Sequence, residues 1–118
     1  MSNYSKGVKF EYIVRDYYLG KGYFVMRAAG SKGAADLIAW TDSDVVVILC
    51  KQEEANRGLY THDVSALQSL KTPETFRKLL WVKRKSDIFI KSIDHGGVFF
   101  EMRTTLKEVK ALAKVGEV

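Results

Sequence analysis

The chain contains one nearly continuous apolar run, Val-Val-Val-Ile-Leu-Cys at positions 45–50, which Lys51 ends. A run that does not alternate between apolar and polar residues is typical of a strand covered on both faces, at the centre of a sheet. Such a strand needs neighbouring strands beside it and helices above and below it. This segment therefore favours an α/β fold with strand 45–51 in its interior.

The remaining elements follow from periodicity and turn residues. Apolar residues at i, i+3, i+4 and i+7, beginning at Phe10, predict a helix over 6–20. Two more helices are predicted, one capped by Thr61 or Asp63 and one after the capping-box pattern Thr105-x-x-Glu108. Strand-forming segments bounded by turn residues cover 23–28, 36–40, 45–51, 79–82, 88–90 and 98–102. This αβββα order, followed by two or three strands and a helix, predicts a mixed central sheet flanked by helices, in one domain over 1–118.

The composition limits which binding partners and which cellular environment are expected. The formal net charge is +5, which favours a polyanionic partner because lysine and arginine release counterions from phosphates. No stretch of eighteen apolar residues is present, so we expect no membrane span, and the first residues contain no apolar signal core. Cys50 is the single cysteine, which excludes an intrachain disulfide and indicates a reducing, cytoplasmic setting.

The spacing between Asp36 and Lys51 indicates a candidate catalytic centre. Asp36 opens a predicted strand, and Lys51 ends the next one. An acid on one strand, followed by acid-x-Lys on the next, builds a metal-dependent phosphodiesterase centre. The position two before Lys51 departs from that pattern, because it is Leu49.

Four motifs occur together: Lys6-Gly7-x-x-x-Glu11, Gly22-Tyr-x-Val-x-Arg27-x-Ala-Gly-Ser31, Ala35-Asp36-Leu-Ile-Ala and Cys50-Lys51. Over about residues 5–92 the chain resembles the archaeal Holliday junction resolvases, which are homodimeric members of the restriction-endonuclease-like superfamily. The resemblance implies that fold, and it implies that Glu11, Asp36 and Lys51 form the catalytic centre with assistance from Ser31. The family's second acid falls on Leu49.

The chemistry implied is hydrolysis of a phosphodiester assisted by Mg²⁺, with Mn²⁺ as an alternative. Carboxylates suit such a hard cation, so Asp36 is expected as the main ligand, with Glu11 reaching the metal from the helix. Lys51 would orient the attacking water or stabilise the charge that builds up. Alternate strand residues share a face, so Glu53, ~6.6 Å beyond Lys51, is a candidate replacement for the missing acid.

Further side chains are candidates for contact with DNA. Arg27, Lys32 and Lys6 are expected to bind phosphates, and the Ser31 hydroxyl to donate to a phosphate oxygen. Cys50 should face away from Lys51, into the core. The basic segment Lys83–Lys85 is either a solvated turn or a phosphate contact, and the sequence leaves both open.

We therefore predict a homodimeric, structure-selective DNA endonuclease acting on four-way junctions, with no small-molecule substrate. One alternative is a non-catalytic dimer that binds branched DNA after losing the second acid at Leu49. Another is a structural dimer without affinity for nucleic acid. Preference among junction, flap and plain duplex DNA stays open at this stage.

Overall fold

The computed structural model describes residues 3–28, 35–53 and 60–115; the side chains of residues 3–6, 114 and 115 are not described. Within these residues, three helices and six strands follow one another in the order α1 (Asn3–Gly20), β1 (Phe24–Arg27), β2 (Leu37–Trp40), β3 (Val45–Glu53), α2 (Thr61–Ser69), β4 (Arg77–Arg84), β5 (Asp87–Asp94), β6 (Gly97–Thr105) and α3 (Leu106–Val115).

All six strands form one sheet, in which the spatial order equals the chain order. Neighbouring strands run antiparallel, except that β3 and β4 are parallel, with α2 in the connection between them. The mixed sheet flanked by helices is confirmed, and three strands follow α2 rather than two. β3 lies between β2 and β4, as its apolar run predicts.

The side chains of β3 divide between two apolar clusters. Val46 and Ile48 pack on one face with Phe10 and Val14 of α1, while Val47 packs on the other face with Leu67 of α2. The α1 cluster also contains Trp81, which is fully buried and donates its indole N–H to the Tyr18 hydroxyl at 3.3 Å. Burial on both faces explains why the run shows no polar alternation.

Several element ends differ from the sequence expectation. β4 and β5 extend beyond 79–82 and 88–90, because hairpin pairing continues through polar residues as far as Arg84 opposite Asp87. Their apolar content marks only the middle of each strand. Lys85, in the turn between them, has a φ of 57°.

Of the two predicted helix N-caps, the one at α3 is confirmed and the one at α2 is not. Thr61 and Asp63 lie inside the first turn of α2, and its cap position is Tyr60, which makes no side-chain capping bond. Tyr60 is buried in the α2 cluster. At α3 the capping pattern is present, because the Glu108 N–H donates to the Thr105 hydroxyl at 3.2 Å. Within the described residues, no helix combines the length and the apolar character that crossing a membrane requires.

The C-terminal end of α1 approaches the backbone of α3 at a glycine. A Cβ atom built on Gly20 would lie 2.6 Å from the Leu112 carbonyl oxygen and 3.1 Å from the Ala113 Cα. Both atoms belong to the backbone, so relief requires the helices to separate. The close packing of α1 on α3 therefore depends on the missing side chain of Gly20.

We expect Gly20→Ala to lower the free energy of unfolding by about 1–3 kcal/mol, the usual cost of overpacking. The matched control is Gly7→Ala in the same helix, where nothing lies within 4 Å of the added Cβ. That change should be neutral or stabilising by up to about 1 kcal/mol, because alanine favours a helix more than glycine does. Urea unfolding measures both variants, and equal effects would contradict the close packing.

Candidate active site

Asp36 is held where β1, β2 and β3 meet. Its carbonyl accepts from the Ala28 N–H and its own N–H donates to the Ile48 carbonyl, both at 2.8 Å. Its side chain is fixed as well, because Oδ2 accepts from the backbone N–H of Cys50 at 2.8 Å. The carboxylate is thereby oriented by backbone groups of β3 and does not rely on a flexible partner.

The surroundings of Asp36 disfavour its negative charge. Burial is the main cause that raises the pKa of this carboxyl above its ordinary value, and the charges of Glu11 and Asp63 raise it further. The Cys50 N–H bond and the charge of Arg27 act in the opposite direction. Glu11 belongs to α1 and Asp63 to α2, so acids from both sides of the sheet act on Asp36. A cation near Asp36 would relieve this repulsion.

Glu11 reaches the sheet through an ion pair with Arg27. The Arg27 Nε donates to Glu11 Oε1 at 2.8 Å, and the two side chains are only 21% and 17% exposed. The Arg27 guanidinium also lies 5.3 Å from the centre of the Tyr12 ring. Arg27, predicted as a phosphate contact, thus binds the predicted catalytic glutamate in the protein without DNA.

Lys51 points to the α2 side of the sheet. Its Nζ lies 3.9 Å from the Asp63 carboxylate, and its side chain is 44% exposed while that of Asp63 is 18% exposed. Among the described residues, the ammonium pairs with Asp63 and makes no ion pair with Glu11 or Asp36. The acids and the lysine therefore meet around Asp36 and Asp63 and do not converge on the ammonium.

Side-chain alternation along β3 places Leu49, Lys51 and Glu53 on one face of the sheet, as expected. Within the described residues, Asp36, Glu11 and Glu53 do not come together as a group. Leu49 packs against the α2 cluster, and Glu53 accepts from the Tyr60 hydroxyl at 3.2 Å. In the described part of the chain, no group of three or more acidic, histidine or cysteine side chains is placed to hold a metal ion. Glu53 is thus directed to Tyr60, and the assignment of Asp36, Glu11 and Glu53 as metal ligands stays a prediction.

Cys50 behaves as predicted. It packs against the α1 cluster, on the opposite side of the sheet from Leu49 and Lys51. Burial raises the pKa of its thiol well above the ordinary value, and the charges of Asp36 and Glu11 add to that shift. The thiol is therefore a core group, while the backbone N–H of the same residue orients Asp36.

Three predicted residues lie outside what the structure describes. Ser31 and Lys32 fall in 29–34, and the side chain of Lys6 is not described. Their roles in catalysis and phosphate binding stay predictions.

Sequence reasoning missed Asp63. In the sequence it stands at the start of a helix, where an acid is favoured by the helix dipole and by capping, so nothing distinguishes it from an ordinary cap. Only the crossover between the parallel strands β3 and β4 brings α2 next to Lys51.

Comparison with known proteins bears on the family and the fold. The family model described as archaeal Holliday junction resolvase (Hjc) matches residues 2–110. Among solved structures, the chain is similar to Hjc of Archaeoglobus fulgidus, described as a Holliday junction resolvase from an archaeal hyperthermophile. The TM-score is 0.59 and the identity 17%, over 94% of this chain and 95% of that one. No curated protein matches. These matches confirm the resemblance and the restriction-endonuclease-like fold that the motifs predict.

The shift at Asp36 predicts how one variant changes stability with pH. The folded state holds the proton more tightly than the unfolded chain, so ionising Asp36 lowers stability as the pH rises from 3.8 through the folded pKa. Asparagine cannot ionise and can still accept from Cys50. Without divalent cations, Asp36→Asn should therefore be more stable than the wild type at pH 7, and this gain should shrink as the pH falls towards 3.8.

Urea unfolding at several pH values measures the effect, with Asp42→Asn in the exposed loop as the control. Identical stability of wild type and Asp36→Asn at pH 7, or a gain that grows in acid, would contradict the raised pKa of Asp36.

Proposed function

The chain belongs to the archaeal Holliday junction resolvase family, and from this premise we propose that it is a structure-selective DNA endonuclease that cuts four-way junctions by hydrolysing phosphodiester bonds. The observation that carries the proposal is the environment of Asp36. Its carboxylate is oriented by the Cys50 N–H and lies in the field of Glu11 and Asp63. Lys51 on the adjoining strand pairs with one of those acids.

A divalent cation fits this environment, and we propose Mg²⁺, or Mn²⁺ in its place. Asp36 and Glu11 would hold it, since Mg²⁺ is commonly bound by one or two carboxylates while waters and a substrate phosphate complete the shell. Such an ion neutralises developing charge on the phosphate and makes bound water more acidic. The raised pKa of Asp36 is compatible with the fit: burial is its main cause, and the charges of Glu11 and Asp63, which a cation would offset, add to it.

The residues of this chain have separable roles in the proposal. Water attacks phosphorus, and the bond from phosphorus to the leaving sugar oxygen breaks, so negative charge builds up on the non-bridging oxygens. Lys51 is the half-exposed cation that can donate to those oxygens, and Asp63 positions its ammonium. Arg27 keeps Glu11 turned towards the sheet until substrate arrives. Ser31 and Lys32 are proposed to contact phosphates beside them.

Branched DNA is the partner that the charge favours. The proposal includes a homodimer, which presents two centres for the two cuts that a junction requires and carries a formal charge of about +10, twice +5. Edge strand β6 supports association because it exposes four large apolar side chains, Val98, Phe99, Phe100 and Met102. Sedimentation equilibrium tests the dimer, and a monomer at micromolar concentration would contradict it. The cytoplasmic setting, and the lack of a small-molecule substrate, belong to the same proposal.

A second candidate is a non-catalytic dimer that binds branched DNA. The packing of Leu49 favours it, because this side chain belongs to the apolar α2 cluster at the position where the family has its second acid. A structural dimer without affinity for DNA is the third possibility, and a gel shift at several salt concentrations separates it from the other two. Binding with a steep salt dependence rejects that possibility.

The endonuclease proposal predicts cleavage of a labelled four-way junction in the presence of Mg²⁺ and none after chelation. Lys51→Ala should lower the cleavage rate by about 10²-fold to 10³-fold, as loss of one donor to developing charge typically does. It should leave junction affinity within a few-fold of the wild type. Lys71→Ala, an exposed lysine far from Asp36 in the chain, is the matched control. Tight binding by a wild type that never cuts would establish the non-catalytic alternative.

Restoring the family's acid tests the role of position 49. We expect Leu49→Glu to raise Mg²⁺ affinity or activity, since it adds an oxygen ligand to a site that has few. It should also lower stability, by about 2 kcal/mol or more, because Leu49 packs in an apolar cluster. Titration of Mg²⁺ followed by thermal unfolding measures both effects. If a folded Leu49→Glu shows no gain while Glu53→Ala abolishes cleavage, Glu53 carries the missing function after all.

A further inference from the structure

We propose that the cavity between Tyr60 and β5, on the α2 side of the sheet, is a phosphate-binding site, and that a phosphate of the DNA backbone near the cleaved bond occupies it. The identity of the occupant rests on the proposed function, whereas the phosphate chemistry of the cavity does not. The cavity is separate from Asp36 and Glu11, and the five residues that line it are Tyr60, Arg84, Phe89, Lys91 and Glu101.

The cavity has the size and charge that a phosphate group requires. Its volume is 180 Å³, about six times the ~30 Å³ that a water molecule occupies in the liquid. Two of its lining residues are cations and one is an anion. Lys91 is already paired with Glu101, so the unbalanced charge of the lining is that of Arg84.

Arg84 is held with unused hydrogen-bonding capacity. Its Nη2 donates to the Tyr60 hydroxyl at 2.8 Å, while its Nε is buried and has no hydrogen-bond partner among the residues that the structure describes. In the described part of the chain, no carboxylate forms an ion pair with Arg84; Glu53 instead accepts from the Tyr60 hydroxyl and does not line the cavity. A buried donor of a charged group normally has a partner. An anion in the cavity would balance the charge of the guanidinium, since Arg84 lines it.

Aromatic rings help to hold the two cations in place, in addition to the hydrogen bonds from Arg84 to Tyr60 and from Lys91 to Glu101. The Arg84 guanidinium lies 5.4 Å, and the Lys91 ammonium 6.0 Å, from the centre of the Phe89 ring. Lys91 also lies 5.4 Å from the centre of the Tyr60 ring. Contacts of this kind fix the position of a charge and leave its donors available to a ligand. Guanidinium groups fixed in this way suit bidentate contact with phosphate oxygens.

The position of the cavity relative to Lys51 indicates the DNA backbone as the source of the phosphate. β3 and β4 are parallel, with Lys51 opposite Val82 and Glu53 opposite Arg84. Arg84 therefore lies one strand across and two residues along from Lys51, and both are near the C-terminal ends of these parallel strands. Strand spacing of ~4.8 Å and a rise of ~3.3 Å per residue place the two Cα atoms ~8 Å apart. Successive phosphates of one DNA strand advance ~3.4 Å along the helix axis, so one strand can reach both residues.

Two measurements test the proposal, and both use the full chain. The first titrates inorganic phosphate against the protein, with chloride at equal ionic strength as the reference, and follows the arginine Nε–H signals by NMR. The Arg84 signal should shift and saturate with phosphate only. Tyr60→Phe removes the hydroxyl that holds the guanidinium, and should weaken this binding several-fold without a change in charge.

The second measurement compares Arg84→Met with Arg103→Met in binding to a four-way junction. Arg103 is the matched control, because it also contacts the Phe89 ring, at 5.6 Å, but is 66% exposed, pairs with Asp87 and does not line the cavity. Arg84→Met should lower affinity about tenfold and reduce the slope of log affinity against log salt by about 1. Arg103→Met should change affinity less than threefold. If Arg84→Met does not fold, Tyr60→Phe takes its place in the comparison.

The outcomes separate this proposal from the proposed function. Equal losses for the two arginine variants, with no saturable phosphate signal, would overturn the site and leave the endonuclease proposal standing. Saturable phosphate binding with unchanged junction affinity in Arg84→Met would overturn the DNA backbone as the occupant and identify free phosphate. Saturable phosphate binding by a protein with no affinity for DNA would support the cavity and contradict the proposed function.

Discussion

Burial of β3 on both faces is the constraint on which the rest of this structure depends. An apolar strand without polar alternation has to lie inside the sheet, and it has to be covered by a helix on each side. α1 covers one face and the crossover helix α2 covers the other. Because side chains alternate along the strand, the end of β3 delivers Cys50 to the α1 side and Lys51 to the α2 side. The position of Lys51 follows from this division, whereas α1 carries Glu11 and Asp36 lies just before β2.

The candidate site is built around a carboxylate on which charged side chains from α1 and α2, on the two sides of the sheet, act. Asp36 lies just before β2, where the Cys50 N–H holds it, and the charges of Glu11 and Asp63 act on it from helices on opposite sides of the sheet. A site with this repulsion is less stable by itself than one with a neutral side chain, and functional sites commonly carry such a cost. Position 49 differs in this respect, because the apolar side chain of Leu49 packs in the core at the position where the family has an acid.

Near the C-terminal ends of β3 and β4, one group of residues is proposed for catalysis and a neighbouring group for binding. Asp36, Glu11 and Lys51 belong to the part where a bond would be cut, and Arg84 with Lys91 to a neighbouring part where the backbone would be held. Contacts to phosphates position a protein on DNA without reading its sequence, which suits an enzyme that recognises the shape of a branch. The parallel pairing of β3 with β4 places these two parts on adjacent strand ends.

Much of the fold and part of the candidate site could be predicted from the sequence, because both depend on local patterns: apolar periodicity, turn residues and short motifs. The run 45–51, the helical spacing from Phe10 and the turn residues specified the central strand, the first helix and the mixed sheet. The motifs around Glu11, Asp36 and Lys51 indicated the family, and the alternation of β3 predicted the core position of Cys50.

Contacts between residues distant in the chain were decided only by tertiary structure. Asp63 looks like a helix cap in the sequence, and the crossover of α2 turns it into the partner of Lys51. Glu53 has the right strand parity for a ligand, yet Tyr60 takes its carboxylate. Arg84 reads as part of a basic turn, and it becomes a buried donor because Tyr60 and Phe89 enclose it. Local patterns determine which face a side chain occupies, whereas the partner it meets depends on how the layers pack.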